Sequence, residues 1–194
     1  MEIRNLRCIQ GLRFLNWPGR LFFMDNEIYY TTFRTPWGWF GILGCKNGLI
    51  RTCLPMTSQK TVQRHLLSGT RGAIPAKNAC RSLEKDILSY YKGHRIDFSN
   101  VPVCIAGLTE FQQRILTILR TVRYGNTISY SDLAKLAGHP KAARAIGTAL
   151  AKNLLPLIIP CHRVICCDGS LGGFSGAGGV LMKKRMLTLE KSSK

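Results

Sequence analysis

The residues best placed to do chemistry stand together as Pro160-Cys161-His162-Arg163-Val164, directly after the apolar run Leu154 to Ile159. A thiol at the end of a buried run, with an imidazole beside it, is what a cysteine nucleophile requires. Only the thiolate attacks, and at its ordinary pKa a cysteine is mostly thiol at neutral pH, so a neighbouring base or cation must shift the balance. Cysteine is also among the most buried residue types and usually behaves as a small hydrophobe. The pentapeptide alone leaves a packing role and a catalytic role open for Cys161.

The elements that position this motif read as helices and loops. Thr109-Glu110-Phe111-Gln112 fits a capping box, and Ile115, Leu116, Ile118 and Leu119 follow at helical spacing, which predicts a helix over about 110–122. Tyr124-Gly125 breaks it. Ser131 to Ala137 reads as a second helix, Gly138-His139-Pro140 as a turn and Lys141 to Lys152 as a third helix. Two short helices about a glycine-containing turn suggest a helix-turn-helix. The third helix carries Ala142, Ala143, Ala145, Gly147, Thr148, Ala149 and Ala151. Close packing explains such a surface, but small side chains flanked by Lys141, Arg144 and Lys152 also suit a helix lying against a phosphate-lined groove. After the motif comes a glycine-rich loop, Asp168 to Gly179, whose glycines permit positive φ and close approach to a ligand. No Gly-Lys-Ser/Thr follows, so it does not read as a nucleotide-phosphate cradle.

The first half of the chain has a different texture. Tyr29 to Phe33, Trp37 to Cys45 and Leu49 to Leu54 are strand-like, with Lys46-Asn47-Gly48 as a hairpin turn. Lys60 to Leu67 and Asn78 to Tyr91 look helical, the second placing Leu83, Ile87, Leu88 and Tyr91 on one face. Lys92 to Ala106, with Gly93 and Pro102, reads as an extended connector. The expected organisation is a basic leader over 1–27 with no assigned role, an α/β domain over 28–92, a connector over 93–108 and a C-terminal domain over 109–194.

Twenty-eight Lys and Arg against ten Asp and Glu give a formal net charge of +18, divided evenly between residues 1–100 and 101–194. Such a balance favours a polyanionic partner, most simply nucleic acid, and an affinity that falls with salt. The hydrophobic fraction of 45% is that of a globular protein, which argues against disorder over most of the length. No apolar stretch approaches the roughly 20 residues needed to cross a bilayer, so a soluble protein with no membrane partner is expected. The charges at Glu2, Arg4, Arg7 and Arg13 leave no clean apolar segment for export. The eight cysteines contain no CxxC pair and no zinc-finger spacing. They read as reduced thiols with no metal site, and Cys166 and Cys167 read as packing residues more than as a redox pair.

Taken together, these motifs resemble the O6-alkylguanine-DNA alkyltransferases, the methylated-DNA–protein-cysteine methyltransferase family. The resemblance runs from about Tyr29 to Glu190. It is strongest in Phe111-Gln112-Gln113, Ile128-Ser129-Tyr130, Leu136 to Gly147, Asn153 and Ile158 to Val164. It implies an N-terminal α/β domain built on an antiparallel sheet, and a mostly helical C-terminal domain with a helix-turn-helix and the reactive cysteine. It also implies a monomer that binds double-stranded DNA through the minor groove and flips the alkylated guanine out of the stack. Cys161 then takes the alkyl group from guanine O6, in line and without a cofactor, and keeps it as a thioether, so each molecule acts once. From the missing signal peptide alone, the expected compartment is cytoplasmic in a prokaryote and nuclear in a eukaryote.

The resemblance also assigns residues. His162 draws the Cys161 proton through a water, and Glu190 holds the imidazole in the useful tautomer, an arrangement related to a catalytic triad. Tyr130 protonates the base at N3, and Asn153 braces the site by hydrogen bonds. Arg144 replaces the extruded nucleotide, a role suited to a planar and permanently charged guanidinium. Further DNA contacts fall to Ser129, Lys141, Ala142, Ala143 and Gly147. The alkylguanine pocket falls to Pro156, Val164, Gly172, Phe174 and Ser175, with main-chain groups around Val164 and Ser175 reading the base. The chain departs from the family at Phe174, where many members carry tyrosine. It departs again in a short insertion over 176–179, on whose placement the choice of Glu190 depends. A lesion marker of the same architecture would lack the cysteine. A Cys/His hydrolase would leave the helix-turn-helix and the +18 charge unexplained.

Overall fold

Two tight hairpins organise the first half of the molecule, and both turn on a glycine. The structure, a computed structural model, describes residues 27–77, 80–105 and 107–192; apart from Glu27, the expected leader lies outside them. Strand β1 (Tyr29–Thr35) pairs antiparallel with β2 (Gly38–Cys45), which pairs antiparallel with β3 (Gly48–Met56). Gly38 and Gly48 close the turns at φ 131° and 133°, conformations that L side chains rarely adopt. A Cβ on Gly38 would stand 2.5 Å from the Met56 carbonyl oxygen, and one on Gly48 would stand 2.6 Å from that of Pro102. The sheet is mixed rather than purely antiparallel, because the two-residue strand β4 (Ile74–Pro75) joins the far edge parallel to β1, giving the order β3-β2-β1-β4. Two residues are too few to show a period, which is why the sequence carries no sign of β4.

Helix α1 (Gln59–Leu67) covers β2 and β3 with Val62 and Leu66, both fully buried. Helix α2 (Arg81–Tyr91) starts later than the expected Asn78, which lies outside the described residues. It buries Leu83, Ile87, Tyr90 and Tyr91. Tyr90 therefore takes the core position expected of Leu88, three residues on from Ile87, where a helix turns the same face inward. The connector is extended, and its Cys104 amide donates to the Leu49 carbonyl at 2.7 Å.

The second half begins with α3 (Glu110–Leu119), capped as expected: the Gln112 amide donates to the Thr109 hydroxyl, and the Gln112 side chain accepts from the Thr109 amide. Strand β5 (Ile128–Ser129) leads into α4 (Tyr130–Leu136), and α5 (Ala143–Ala151) packs against α4 across a turn in which Gly138 sits at φ 80°. This is the expected pair of short helices, with α5 two residues shorter at its start. A short 3-10 turn, Cys161–Arg163, runs into β6 (Val164–Ile165), which pairs in parallel with β5. Helix α6 (Gly179–Ser192) is the last element of the described residues.

One apolar cluster unites the two halves, from Phe40, Ile42 and Tyr90 to Ile115, Ile158 and Met186. Polar contacts also cross between them. The Thr52 amide donates to the Leu154 carbonyl and its hydroxyl to the Pro156 carbonyl, while the Arg185 guanidinium lies 3.8 Å over the Trp37 ring. No helix among the described residues is long and apolar enough to cross a membrane.

Candidate active site

The chain reaches Cys161 through a tightly folded turn. Leu155, Leu157, Ile158 and Ile159 are buried, whereas Leu154, expected to share in the buried run, is 47% exposed. Leu157 adopts φ 78° while fully packed, a backbone state that costs a non-glycine residue about 1–3 kcal/mol and is held here by its surroundings. Pro160, at φ −81° and ψ 62°, forms an inverse γ-turn in which the Cys161 amide donates to the Ile159 carbonyl at 2.8 Å. Asn153 ties this turn down. Its Nδ2 donates to the Ile159 carbonyl at 3.0 Å and to Cys161 Sγ at 3.2 Å, and its Oδ1 accepts from the Leu155 amide. The expected bracing residue thus touches the thiol itself.

Behind Cys161 lies a buried ionic hub centred on Glu190. Its carboxylate accepts five hydrogen bonds, from His162 Nε2, Tyr90 Oη and Arg163 Nη2 on Oε1, and from Arg163 Nε and the Gly125 amide on Oε2. Burial pushes this carboxyl upward, but the hydrogen bonds and charges of His162 and Arg163 outweigh it and hold the pKa at about 2. An anion so saturated can only accept, so His162 must carry its proton on Nε2 in the 2.7 Å contact. That leaves the Nδ1 lone pair, buried and without a hydrogen-bond partner among the described residues, as the basic atom. Burial is the main influence on His162 and lowers its pKa against the pull of Glu190, so the imidazole is neutral. Insertion or not, α6 brings Glu190 to His162.

Cys161 is 8% exposed, and its pKa is raised. Burial dominates that shift, while the Asn153 hydrogen bond and the Lys183 charge oppose it. The resting thiol is therefore protonated, with groups in place to receive a thiolate. Lys183 was not anticipated from the sequence. It is fully buried, its Nζ donates to the Leu171 and Gly173 carbonyls, and it stands 5.7 Å from the Tyr130 ring centroid. Arg163 and Tyr90 were missed in the same way. Arg163, part of the motif, also donates to the Val122 carbonyl at 2.6 Å and lies over Tyr124. The available signal was on α6, where Lys183, Met186, Leu187 and Glu190 are buried at the i, i+3, i+4, i+7 spacing of a core stripe.

In front of Cys161 opens a cavity of about 650 Å³. Cys161 shares its walls with Tyr130, Ala143, Arg144, Gly147, Gly172, Phe174 and Ser175 from the expected set, and with Leu150, Ala151, Cys166 and Gly173. Pro156 and Val164 are not among the described residues that line it. The Pro156 carbonyl is engaged by Thr52, and Val164 is fully buried in its pairing with Ile128. Gly172 is at φ 64°, and a Cβ there would meet the Tyr130 ring at 3.0 Å. Burial, with Cys166 and Cys161, raises the Tyr130 pKa, so its phenol remains a proton donor at neutral pH. Its hydroxyl reaches the Gly173 carbonyl at 3.4 Å.

The remaining expected DNA contacts lie on or beside α4 and α5. Arg144 is exposed in the first turn of α5, Ala142 is the residue that caps that helix, and Lys141 is exposed just before it. Ser129 caps α4 by accepting from the Asp132 amide at 3.0 Å, so its hydroxyl already has a structural role.

Residues 110–192 match the family model described as the DNA binding domain of 6-O-methylguanine DNA methyltransferase. The chain is 35% identical over 177 residues to the methylated-DNA–protein-cysteine methyltransferase of Cricetulus griseus, covering 84% of this chain and 82% of that one. It is 34% identical over 182 residues to the human protein of the same name, covering 86% and 82%. The structure of Mycobacterium tuberculosis OGT in complex with DNA superposes with a TM-score of 0.70 at 34% identity, over 85% of this chain and 94% of that one. Agreement in sequence over most of both chains, and in fold over a similar share, places this chain in the methylated-DNA–protein-cysteine methyltransferase family.

Proposed function

We propose that this protein repairs O6-alkylated guanine in duplex DNA by moving the alkyl group to Cys161 Sγ, once per molecule and without a cofactor. The observation that carries the reading is one cavity that joins Cys161, a protonated Tyr130 and an exposed Arg144, with the neutral His162 and anionic Glu190 behind the thiol. The α4–α5 pair enters the minor groove as part of a monomer, its small residues allowing close approach and its basic residues meeting phosphate. Arg144 fills the gap left by the flipped nucleotide. The alkylated base then occupies the cavity.

Transfer follows from the charges. The Cys161 proton passes to His162 Nδ1 through a bridging water, while Glu190 stabilises the imidazolium from the Nε2 side. Asn153 Nδ2 and the Lys183 ammonium hold the thiolate. Sulfur attacks the alkyl carbon, the S–C bond forms and the C–O6 bond breaks, leaving its electron pair on the purine. Tyr130 supplies a proton at N3, so guanine departs neutral, and Tyr130 and His162 regain their resting protonation through solvent. The thioether has no base-labile bond, so Cys161 stays alkylated.

A turnover assay tests this. With lesion duplex in excess, repaired sites should plateau at one per protein, and Cys161→Ala should repair none. Continued turnover would overturn the reading in favour of a hydrolase, and tight lesion binding without repair would favour a lesion marker. Arg144→Ala should slow repair of duplex DNA at least about tenfold more than reaction with free O6-benzylguanine, because it serves extrusion and not transfer. Equal losses on both substrates would make Arg144 a structural residue.

A further inference from the structure

Two thiols meet far from Cys161 in sequence and in role. Cys45 ends β2 at the hairpin turn, and Cys104 lies in the connector; their sulfurs are 3.7 Å apart, and no disulfide joins them. The backbone on both sides fixes this encounter. Cys45 pairs with Gly48, the Leu49 amide donates to the Pro102 carbonyl at 2.9 Å, and the Cys104 amide donates back to the Leu49 carbonyl at 2.7 Å. A small closure of the two side chains would bring the sulfurs to bonding distance. Both are half-buried, open enough for a small oxidant.

We propose that Cys45 and Cys104 form a peroxide-responsive dithiol that closes into a disulfide and fastens the connector to the sheet, independently of the transfer chemistry at Cys161. The electrostatics at the hairpin support it. The contact with the Cys104 thiol, in which either sulfur can donate, is the main influence, and the Asn47 and Gly48 amides and the Lys46 charge add to it; against partial burial they bring the Cys45 pKa down to about 6. Cys45 is the attacking sulfur and Cys104 the resolving one, the division of labour seen wherever a low-pKa thiol has a partner thiol at hand. In the first step the Cys45 thiolate attacks a hydroperoxide oxygen; an S–O bond forms, the O–O bond breaks and the released oxyanion takes a proton. In the second the Cys104 sulfur displaces water from the Cys45 sulfenic acid, forming S–S as S–O breaks. Two thiols lose two electrons, and hydrogen peroxide becomes two waters. Such reversible bonds are the form in which disulfides occur in reducing compartments.

The test treats the reduced full chain with a few equivalents of hydrogen peroxide, blocks remaining thiols after denaturation and maps the peptides by mass. The expected product is a Cys45–Cys104 cross-linked peptide pair, two hydrogens lighter and reversed by dithiothreitol, formed while Cys161 remains a thiol. In Cys104→Ser the link is replaced by a Cys45 sulfenic acid captured with dimedone. In Cys45→Ser, capture at Cys104 is slower by at least about tenfold. Full methyl transfer by both variants shows that each is folded. Oxidation of Cys161, Cys166 or Cys167 before the pair would overturn the proposal, as would a link from Cys45 or Cys104 to any other cysteine, Cys8 included.

Discussion

Cys161 and Cys45 are both cysteines at a tight turn, and their surroundings drive them in opposite directions. Cys161 is walled in, its pKa is raised by burial, and a neutral imidazole, an amide and an ammonium surround it. At Cys45 the partner thiol of Cys104, with the turn amides, brings the pKa down to about 6. A nucleophile that can be used only once is poorly served by standing ionisation, because oxidants and stray electrophiles would consume it. The fold keeps Cys161 protonated at rest. Burial raises the pKa of one thiol, and a partner thiol lowers that of the other.

The comparison breaks most severely if the hub behind Cys161 is discharged. Glu190→Gln leaves the Arg163 guanidinium buried without its anion, which should cost about 3–5 kcal/mol in urea unfolding. It should also slow single-turnover methyl transfer about 100-fold, since nothing then stabilises the imidazolium. Lys183→Met should be milder. Without the cation the Cys161 thiolate fraction falls, so transfer slows about tenfold at neutral pH and the pH–rate profile moves to higher pH. An unmoved profile would reduce Lys183 to a loop anchor. At the other thiol, Cys45→Ser should leave the transfer rate within about twofold of the parent, the expected outcome for a group remote from the reacting atoms.

Acid titration sharpens the same contrast. His162 and Glu190 both have folded pKa values below their unfolded ones of about 6.5 and 4.3, so the unfolded chain binds protons first as pH falls. Their stabilisation is complete above about pH 6.5 and is lost downward, through about 6.5 for His162 and then from about 4.3 toward 2 for Glu190. Thermal midpoints should decline in that order, and His162→Gln should remove the upper limb. A midpoint flat to about pH 5 would contradict a buried neutral imidazole.

Much of the scaffold was legible because its signals are local. The Thr109–Gln112 capping box and the Lys46-Asn47-Gly48 turn are short patterns whose geometry follows from the residues involved. The two-residue pairings of β4, β5 and β6 are not legible, since they have no period and depend on what the chain folds against. The site divides the same way. Cys161 and His162 are adjacent in sequence, and the resemblance supplied Tyr130, Arg144, Asn153 and Glu190. Tyr90 reaches Glu190 from 100 residues away, and Cys104 meets Cys45 from 59 away, so neither contact leaves a trace in local pattern. Lys183 was hidden by its neighbours. It stands in a run of three cations, Lys183-Lys184-Arg185, of which the stripe through Met186, Leu187 and Glu190 turns the first inward.

The most direct measurement is tandem mass spectrometry of the Cys161 peptide after the protein has met a duplex containing O6-methylguanine. The expected result is a single methyl group on Cys161, saturating at one per protein, with unmodified guanine left in the duplex. Demethylated DNA beside an unmodified Cys161 peptide, or a methyl group on any other residue, would contradict the assignment of Cys161 as the acceptor.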